Sequence, residues 1–132
     1  QHIAAELSGK FYKERSPLYA EALHVNSSYI TAVANDYGYE YTYSRMTEAA
    51  GREGDILLGI STSGDSTNVI NALEKAKDIG MKTIGFTGIN GGRIASICDY
   101  IIKVPSKDTP RIQEAHILLG HIICQLIEEE LF

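Results

Sequence analysis

Short continuous apolar runs alternate with segments of helical apolar spacing along the second half of the chain. A continuous apolar run at Asp55–Ile60 is followed by residues 67–79, whose apolar side chains recur at helical spacing. Two further short apolar runs, Lys82–Thr87 and Tyr100–Val104, follow in the same manner. Strands separated by helical segments form parallel sheets covered by helices. The pattern therefore predicts an α/β fold, a three-layer sandwich in which a parallel sheet is flanked by helices.

Turn and capping residues indicate where these elements end. Gly80 closes the first helix of this half, and Gly91–Gly92 precede a short helix through Ile97. Thr109 and Pro110 suit the N-cap and first helical position of a final helix, since proline has no N–H to lose there. That helix continues to the end of the chain. Its apolar stripe is predicted to contain Ile112, His116, Leu119, Ile123 and Ile127.

The first half has a weaker pattern. We predict a helix at His2–Leu7, a polar loop through Leu18, a strand at Ala20–Val25, and helices at Tyr29–Ala34 and Tyr39–Ala50. The chain opens at a glutamine inside a helix, so we expect a domain whose N-terminal part is missing.

Length, composition and charge limit the number of domains and exclude some classes of partner. With 132 residues, 44% of them hydrophobic, the chain can form one core, and residues 1–132 are expected to be a single domain. A net charge of −5 without a basic cluster argues against nucleic acid and membrane surfaces as partners. We expect a cytoplasmic protein with Cys98 and Cys124 as reduced core thiols. The last helix ends on three glutamates, Glu128–Glu130, where the helix dipole disfavours negative charge. We therefore assign these residues no role beyond solubility.

A hydroxyl-rich segment lies between the first strand and helix of the second half. Residues 61–67 are Ser-Thr-Ser-Gly-Asp-Ser-Thr. Ligands bind at such strand-to-helix turns, because free N–H groups at a helix start attract anions. The segment is a candidate anion site, and an ordinary serine- and threonine-rich turn is an equal alternative. A P-loop is excluded because no lysine follows Gly64, and a nucleophile elbow because position 63 is serine.

Two pairs of side chains could supply acid–base chemistry or bind a metal. His2 and Glu6 lie four residues apart on a helix and point the same way. Gln113 and His121 lie eight apart on the last helix, a little over two turns. Together their donor atoms would suit a divalent ion such as Zn²⁺. The spacing also fits a surface His/Glu pair and a core histidine, and His116 is interpreted as a core histidine.

A glutamate and a histidine are adequate for aldose–ketose isomerisation. The reaction needs a base that moves a proton between adjacent carbons and a group that moves one between oxygens. A phosphate grip elsewhere would orient the reacting carbons, and no organic cofactor is expected.

Several stretches match a known family in order along nearly the whole chain. They are Gln1–Gly9, Ala34–Gly38, Gly51–Asp55, Ile60–Gly64, Gly91–Gly92, Val104–Ser106 and Arg111–His116. On these stretches the sequence resembles the phosphoheptose isomerases of the sugar isomerase (SIS) domain superfamily. The resemblance implies a flavodoxin-like SIS domain, with a strand and an Asn-Gly-Gly-Ser phosphate turn expected before Gln1.

The resemblance also implies a reaction and its residues. The enzyme would convert sedoheptulose 7-phosphate to D-glycero-D-manno-heptose 7-phosphate for bacterial lipopolysaccharide or capsule. Glu6 would be the base at carbon and His121 the acid/base at oxygen. The implied zinc ligands are His2, Glu6, Gln113 and His121. The implied substrate contacts are Glu6, Asn35, Asp36, Ser61, Thr62, Ser63, Ser66 and Gln113. Relatives look like homotetramers whose active sites combine residues of neighbouring subunits.

Two departures and two alternatives accompany the resemblance. Lys10 stands where the family has arginine, which keeps the charge but loses bidentate geometry, and Asn26 stands where aspartate is expected. One alternative is a non-catalytic SIS protein that binds a protein partner such as a replication initiator. Such relatives lack the catalytic pair, whereas this chain keeps Glu6 and His121. The other alternative is an isomerase of a different sugar phosphate.

Overall fold

A parallel three-stranded sheet lies at the centre of the fold, as the apolar pattern predicted. The computed structural model describes residues 1–132, and its strands are β1 (Ile56–Ile60), β2 (Lys82–Thr87) and β3 (Tyr100–Lys103). Their order is β1-β2-β3 with both pairs parallel. At the carboxyl end Ile60 lies opposite Phe86, and Thr87 lies opposite Lys103. The strand ends therefore meet at one edge, where ligands bind in open α/β folds.

The chain also forms six helices. They are α1 (His2–Ser8), α2 (Ser27–Tyr37), α3 (Thr42–Ala50), α4 (Thr67–Ile79), α5 (Ile94–Ile97) and α6 (Thr109–Leu131). The segment predicted as one helix from Tyr39 is a 3₁₀ turn, Tyr39–Tyr41, followed by α3. Gly80 ends α4 in the left-handed conformation, as its place in the sequence predicted.

Helices cover both faces of the sheet. On one face, α4 and α5 pack against the strands through three fully buried residues, Ile70, Leu73 and Ile94. Burial of such a side chain stabilises the fold by about 1.5–3 kcal/mol. On the other face, α6 packs His116 against Phe86 with 5.6 Å between ring centroids. The three layers agree with the predicted sandwich.

Two sequence predictions about local structure were wrong. Residues Ala20–Val25 form no strand. Their neighbourhood is open, with Tyr19 88% and Val25 46% exposed, so the run has no buried face that would hold it in a sheet. The N-cap of α6 is Asp108 rather than Thr109, which places Pro110 in the first turn one position later than predicted.

The buried stripe of α6 ends on a carboxylate. It consists of Ile112, His116, Gly120, Cys124 and Glu128. Glu128 forms an ion pair with Arg15, 2.8 Å from Nε to Oε1, and both side chains are at most 2% exposed. Burial by itself raises the pKa of Glu128, but backbone N–H groups of residues 11–13 and the Arg15 guanidinium outweigh it and lower that pKa to about 2. The solubility interpretation of Glu128 is therefore wrong.

Two general expectations can be compared with the structure. Cys98 is half-buried and Cys124 is buried, both as free thiols, and burial raises the pKa of each. None of the helices has the length and apolar character that a membrane span requires.

Candidate functional site

A cavity of about 390 Å³ opens at the carboxyl end of β1. One wall is the hydroxyl loop, which we define as residues 61–66. The lining side chains are Ile3, Ile60, Ser61, Thr62, Ser66, Gln113, His116 and Ile117. Helix α1, the hydroxyl loop and helix α6 therefore meet around one space, in the size range of small-molecule sites.

Hydroxyl groups within the loop lie close to one another. Ser61 Oγ is 2.9 Å from Ser66 Oγ and 3.4 Å from Ser63 Oγ, and it accepts a hydrogen bond from the Gly64 N–H at 3.1 Å. Ser66 is the N-cap of α4, yet its side chain makes no capping hydrogen bond. Because the first amides of a helix have no intrahelical acceptor, this end of α4 can bind an anion. Ser61 and Ser66 together with the helix start thus fit the predicted anion site.

Gly64 joins the hydroxyl loop to the turn at Gly91–Gly92. Its φ is +76°, and a Cβ at this position would overlap the carbonyl oxygen of Gly91. The Gly64 carbonyl accepts from the Ile94 N–H at 3.0 Å, and Asp65 Oδ1 accepts from the Arg93 N–H at 2.9 Å. Glycine permits close backbone approach, and at Gly64 the structure uses it to place the Gly91–Gly92 backbone against the hydroxyl loop.

Two histidines and a glutamate from α1 and α6 converge on one point. His2 Nε2 lies 2.9 Å from His121 Nε2 and 3.1 Å from Glu6 Oε1. All three side chains offer ligand atoms within 4.8 Å of one another. Glu6 and His121 are half-buried, while His2 is exposed. We call these residues the His2–Glu6–His121 cluster.

The donor atoms of this cluster fit a divalent metal ion. Ligands that lie 2.0–2.1 Å from a tetrahedral zinc ion are about 3.3 Å apart. The separations of 2.9 and 3.1 Å are close to that value. Without an ion, the two imidazole nitrogens of His2 and His121 can hold only one proton between them, because two N–H groups facing each other repel. The cluster can therefore hold either a shared proton or a metal.

Gln113, the fourth predicted metal ligand, lies on α6 beside the hydroxyl loop. It lines the cavity with Ser61 and Ser66. Eight residues separate it from His121, which is about 12 Å along the axis of α6. Its amide therefore lies between the anion site and the cluster along that helix.

Asn35 and Asp36 lie elsewhere. Both are exposed near the end of α2, and Asn35 Nδ2 donates to Asp36 Oδ1 at 2.9 Å. Neither residue lines the cavity. A single chain therefore does not bring these two predicted substrate contacts to the site.

The structure adds two residues that the sequence interpretation had not placed at the site. His116 is 4% exposed and lines the cavity, with Nε2 3.2 Å from the Thr87 carbonyl oxygen. Its position three residues after Gln113 on the same helix was the available signal. Phe11 packs its ring 5.6 Å from that of His121, between centroids, and no sequence pattern indicated this contact.

The two departures from the family pattern have local roles. Lys10 donates to Glu14 at 2.6 Å, and this hydrogen bond together with the attraction between the charges raises the pKa of Lys10. Asn26 is the N-cap of α2 and accepts from the Tyr29 N–H at 3.0 Å. An asparagine is as good a cap as the expected aspartate.

Comparison with known proteins adds a sequence relationship. The SIS domain family profile matches residues 1–88. The phosphoheptose isomerase of Aneurinibacillus thermoaerophilus is 55% identical over 132 residues, which are 100% of this chain and 67% of that protein. The phosphoheptose isomerase of Clostridium acetobutylicum is 54% identical with the same coverage. The chain thus spans about two thirds of the length of these relatives.

Solved structures agree with this relationship. A phosphoheptose isomerase from Francisella tularensis superimposes with a TM-score of 0.93 at 41% identity, covering 97% of this chain and 69% of that one. Another, from Neisseria gonorrhoeae, gives a TM-score of 0.91 at 44% identity, with 97% and 68% coverage. The similarity extends over nearly all of this chain.

Proposed function

This chain belongs to the phosphoheptose isomerases of the SIS-domain family, and from that premise we propose that Glu6 and His121 interconvert sedoheptulose 7-phosphate and D-glycero-D-manno-heptose 7-phosphate. One observation carries the proposal. The cluster that contains both residues lies on α1 and α6, the two helices that also line the cavity beside the hydroxyl loop. The relatives are isomerases by name, and this disfavours a non-catalytic protein-binding role.

The hydroxyl loop would bind the phosphate. Ser61, Thr62, Ser63 and Ser66 offer hydroxyl donors at the start of α4, whose helix dipole favours negative charge. A phosphate bound there would fix one end of the sugar, while Gln113 would contact hydroxyl groups along the chain. Holding the substrate in this way brings its reacting carbons to the acid–base residues and lowers the entropic barrier.

The reaction itself needs two proton transfers. Glu6 would take the proton from the carbon beside the carbonyl group and return it to the neighbouring carbon. His121 would donate a proton to the carbonyl oxygen and take one from the adjacent hydroxyl, so that the product is an isomer and both residues return to their starting states. Each such acid–base group typically raises the rate by about 10²–10⁴-fold.

We propose that the cluster also holds Zn²⁺ through His2, Glu6 and His121, and that the Gln113 side chain extends along α6 toward the cluster as the fourth ligand. When bound, the ion would act as a Lewis acid that polarises the substrate carbonyl. A carboxylate has two oxygens, so Glu6 could contact an ion through one and still act as a base through the other. The support is the nitrogen and oxygen donor set.

Three wider proposals follow from the family. The enzyme would act as a homotetramer in which Asn35 and Asp36 reach the cavity of a neighbouring subunit. Their exposure on α2 supports this arrangement. It would work in the cytoplasm, and its product would supply heptose for lipopolysaccharide or capsule.

Substitution of the proposed base tests the function. Glu6→Gln in the intact protein should lower kcat for sedoheptulose 7-phosphate by about 10²–10⁴-fold, because the amide cannot accept the carbon proton. Glu14→Gln makes the same change at an exposed position of the same N-terminal region and should retain wild-type activity. Circular dichroism confirms that both variants fold.

Unchanged turnover in Glu6→Gln would reject the acid–base assignment. The same assay with seven-, six- and five-carbon sugar phosphates tests the substrate. We expect the highest kcat/KM for the seven-carbon ketose, and a clear preference for a shorter sugar would contradict the proposed substrate while leaving the isomerase mechanism intact.

A further inference from the structure

A buried ion pair between Arg15 and Glu128 links the two helices that carry the His2–Glu6–His121 cluster. The Arg15 and Glu128 side chains are 1% and 2% exposed. Neither residue belongs to the cluster or lines the cavity. Removing one partner of such a pair leaves an uncompensated buried charge, so the loss of either Arg15 or Glu128 alone destabilises this contact strongly.

Arg15 holds the carboxyl end of α1. Its guanidinium donates to the carbonyl oxygens of Glu6 at 2.9 Å, Leu7 at 2.8 Å and Gly9 at 3.3 Å. The last carbonyls of a helix have no intrahelical donor, and a seven-residue helix is too short to be stable alone. The Arg15 guanidinium therefore caps α1 at the backbone of the proposed base itself.

Glu128 holds the segment that follows α1. Its carboxylate accepts from the N–H groups of Phe11 at 2.9 Å, Tyr12 at 2.8 Å and Lys13 at 2.9 Å. The ring of Phe11 lies 5.6 Å from that of His121. Glu128 follows His121 by seven residues on α6, two turns further along the same face.

A third contact brings the two helices close. A Cβ at Gly120 would overlap the side chain of Ile3, so α1 lies directly against α6 one residue before His121. Ile3 contacts α6 at this point, and the ion pair fixes the other end of α1. The orientation of α1 on α6 is therefore determined at both ends.

We propose that Arg15 and Glu128 are positioning residues for the isomerisation. Arg15 fixes Glu6 through its carbonyl group, and Glu128 fixes the Phe11 ring against His121. The pair sets the relative placement of the base and its partner without touching the substrate. This inference rests on the proposed roles of Glu6 and His121.

Glu128→Gln tests the proposal in the intact enzyme, with Glu129→Gln as the matched control. Glu129 is the adjacent residue, exposed, and accepts only a hydrogen bond from Gln125. Glu128→Gln should lower kcat about 10–100-fold, because small displacements of reacting groups have effects of this size. KM should change less than about threefold, since the hydroxyl loop is built on β1 and α4 and does not depend on the pair.

Hydrogen exchange separates positioning from general destabilisation. In Glu128→Gln the amides of α1 should exchange faster while those of α4 keep their wild-type rates. Arg15→Lys keeps the buried charge but loses the planar set of donors. It should also lower kcat and speed amide exchange in α1. It also decides the matter if Glu128→Gln does not fold.

The outcomes are distinguishable from failure of the proposed function. If Glu6→Gln loses turnover while Glu128→Gln and Arg15→Lys keep wild-type kcat, the pair is only a structural tie and the inference is wrong. Equal acceleration of exchange in α1 and α4 would lead to the same conclusion. If Glu6→Gln itself retains turnover, the acid–base assignment fails, and faster exchange confined to α1 then no longer supports a role in this reaction.

Discussion

Three side chains offer lone pairs to one small space in the His2–Glu6–His121 cluster. The two imidazole nitrogens are 2.9 Å apart, and two protonated rings at that distance would repel each other strongly. A metal ion and a proton therefore compete for the same atoms. Metal ligands must be deprotonated, so metal affinity at this cluster should be lower in acid.

Metal removal tests this competition. We expect about one zinc ion per chain by elemental analysis, with loss of activity on chelation and recovery on addition of Zn²⁺. His2→Gln should weaken zinc binding by more than the roughly 10–100-fold that loss of a supporting partner costs. The control is His24→Gln, at an exposed histidine outside the cluster, which should bind zinc as the wild type does. A protein that holds no metal and keeps full activity after chelation would leave the three residues with acid–base roles only.

A helix or strand could be predicted when the residues that stabilise it lie within its own segment of the sequence. Helix α4 has apolar spacing and a terminal glycine within its own segment, and its observed bounds, Thr67–Ile79, agree with the prediction. The run Ala20–Val25 has apolar residues as well, but a strand also needs a neighbour to pair with. Such a neighbour comes from elsewhere in the chain, so propensity alone led to the wrong element.

Local sequence also could not show which of the glutamates at the end of α6 is buried. Glu128, Glu129 and Glu130 are identical in sequence, yet the first is 1% exposed and the others lie at the surface. What distinguishes Glu128 is the helical phase that turns it toward residues 11–15. The partners are 113–117 residues away in sequence, so no local pattern could reveal them.

The depressed pKa of Glu128 predicts how stability depends on pH. Its value falls from an ordinary 4.5 to about 2 in the folded protein. The ionised carboxylate therefore contributes its full stabilisation above pH 4.5, and this contribution is lost as the pH falls from 4.5 toward 2. Glu128→Gln should be less stable than the wild type at pH 7, with a difference in Tm that shrinks below pH 4.5.

Thermal unfolding followed by circular dichroism between pH 7 and pH 3 measures this effect. Asp99, whose pKa is lowered by hydrogen bonds from the Thr83 amide and hydroxyl, remains in both proteins and contributes the same acid dependence to each. Glu129→Gln should follow the wild-type curve. A Tm difference for Glu128→Gln that stays constant with pH would show that the carboxylate charge is not what stabilises the contact.

At the scale of the whole molecule, the site joins residues from opposite ends of the chain. His2 and His121 are 119 residues apart, and spacing alone left their pairing undecided. The residues of the hydroxyl loop, by contrast, are contiguous, and their place between β1 and α4 was evident from the pattern. The resemblance to a family connected the distant parts, and the fold then brought His2, Glu6 and His121 together. It did not bring Asn35 and Asp36 to the same place.

Mixed oligomers test whether those two residues act across subunits. Glu6→Gln and Asp36→Ala proteins, each inactive alone, should regain activity when co-assembled, because some sites then combine an intact Glu6 from one subunit with an intact Asp36 from another. Random mixing makes about a quarter of the sites complete in a symmetric assembly. The exposed apolar residues of α6, Ile117, Leu118, Ile122 and Leu126, offer surface for such an assembly. Sedimentation should therefore report an oligomer for each variant. An oligomer in which the mixture stays as inactive as its components would reject the sharing of a site between subunits, and full activity of Asp36→Ala alone would show that Asp36 has no part in binding the sugar.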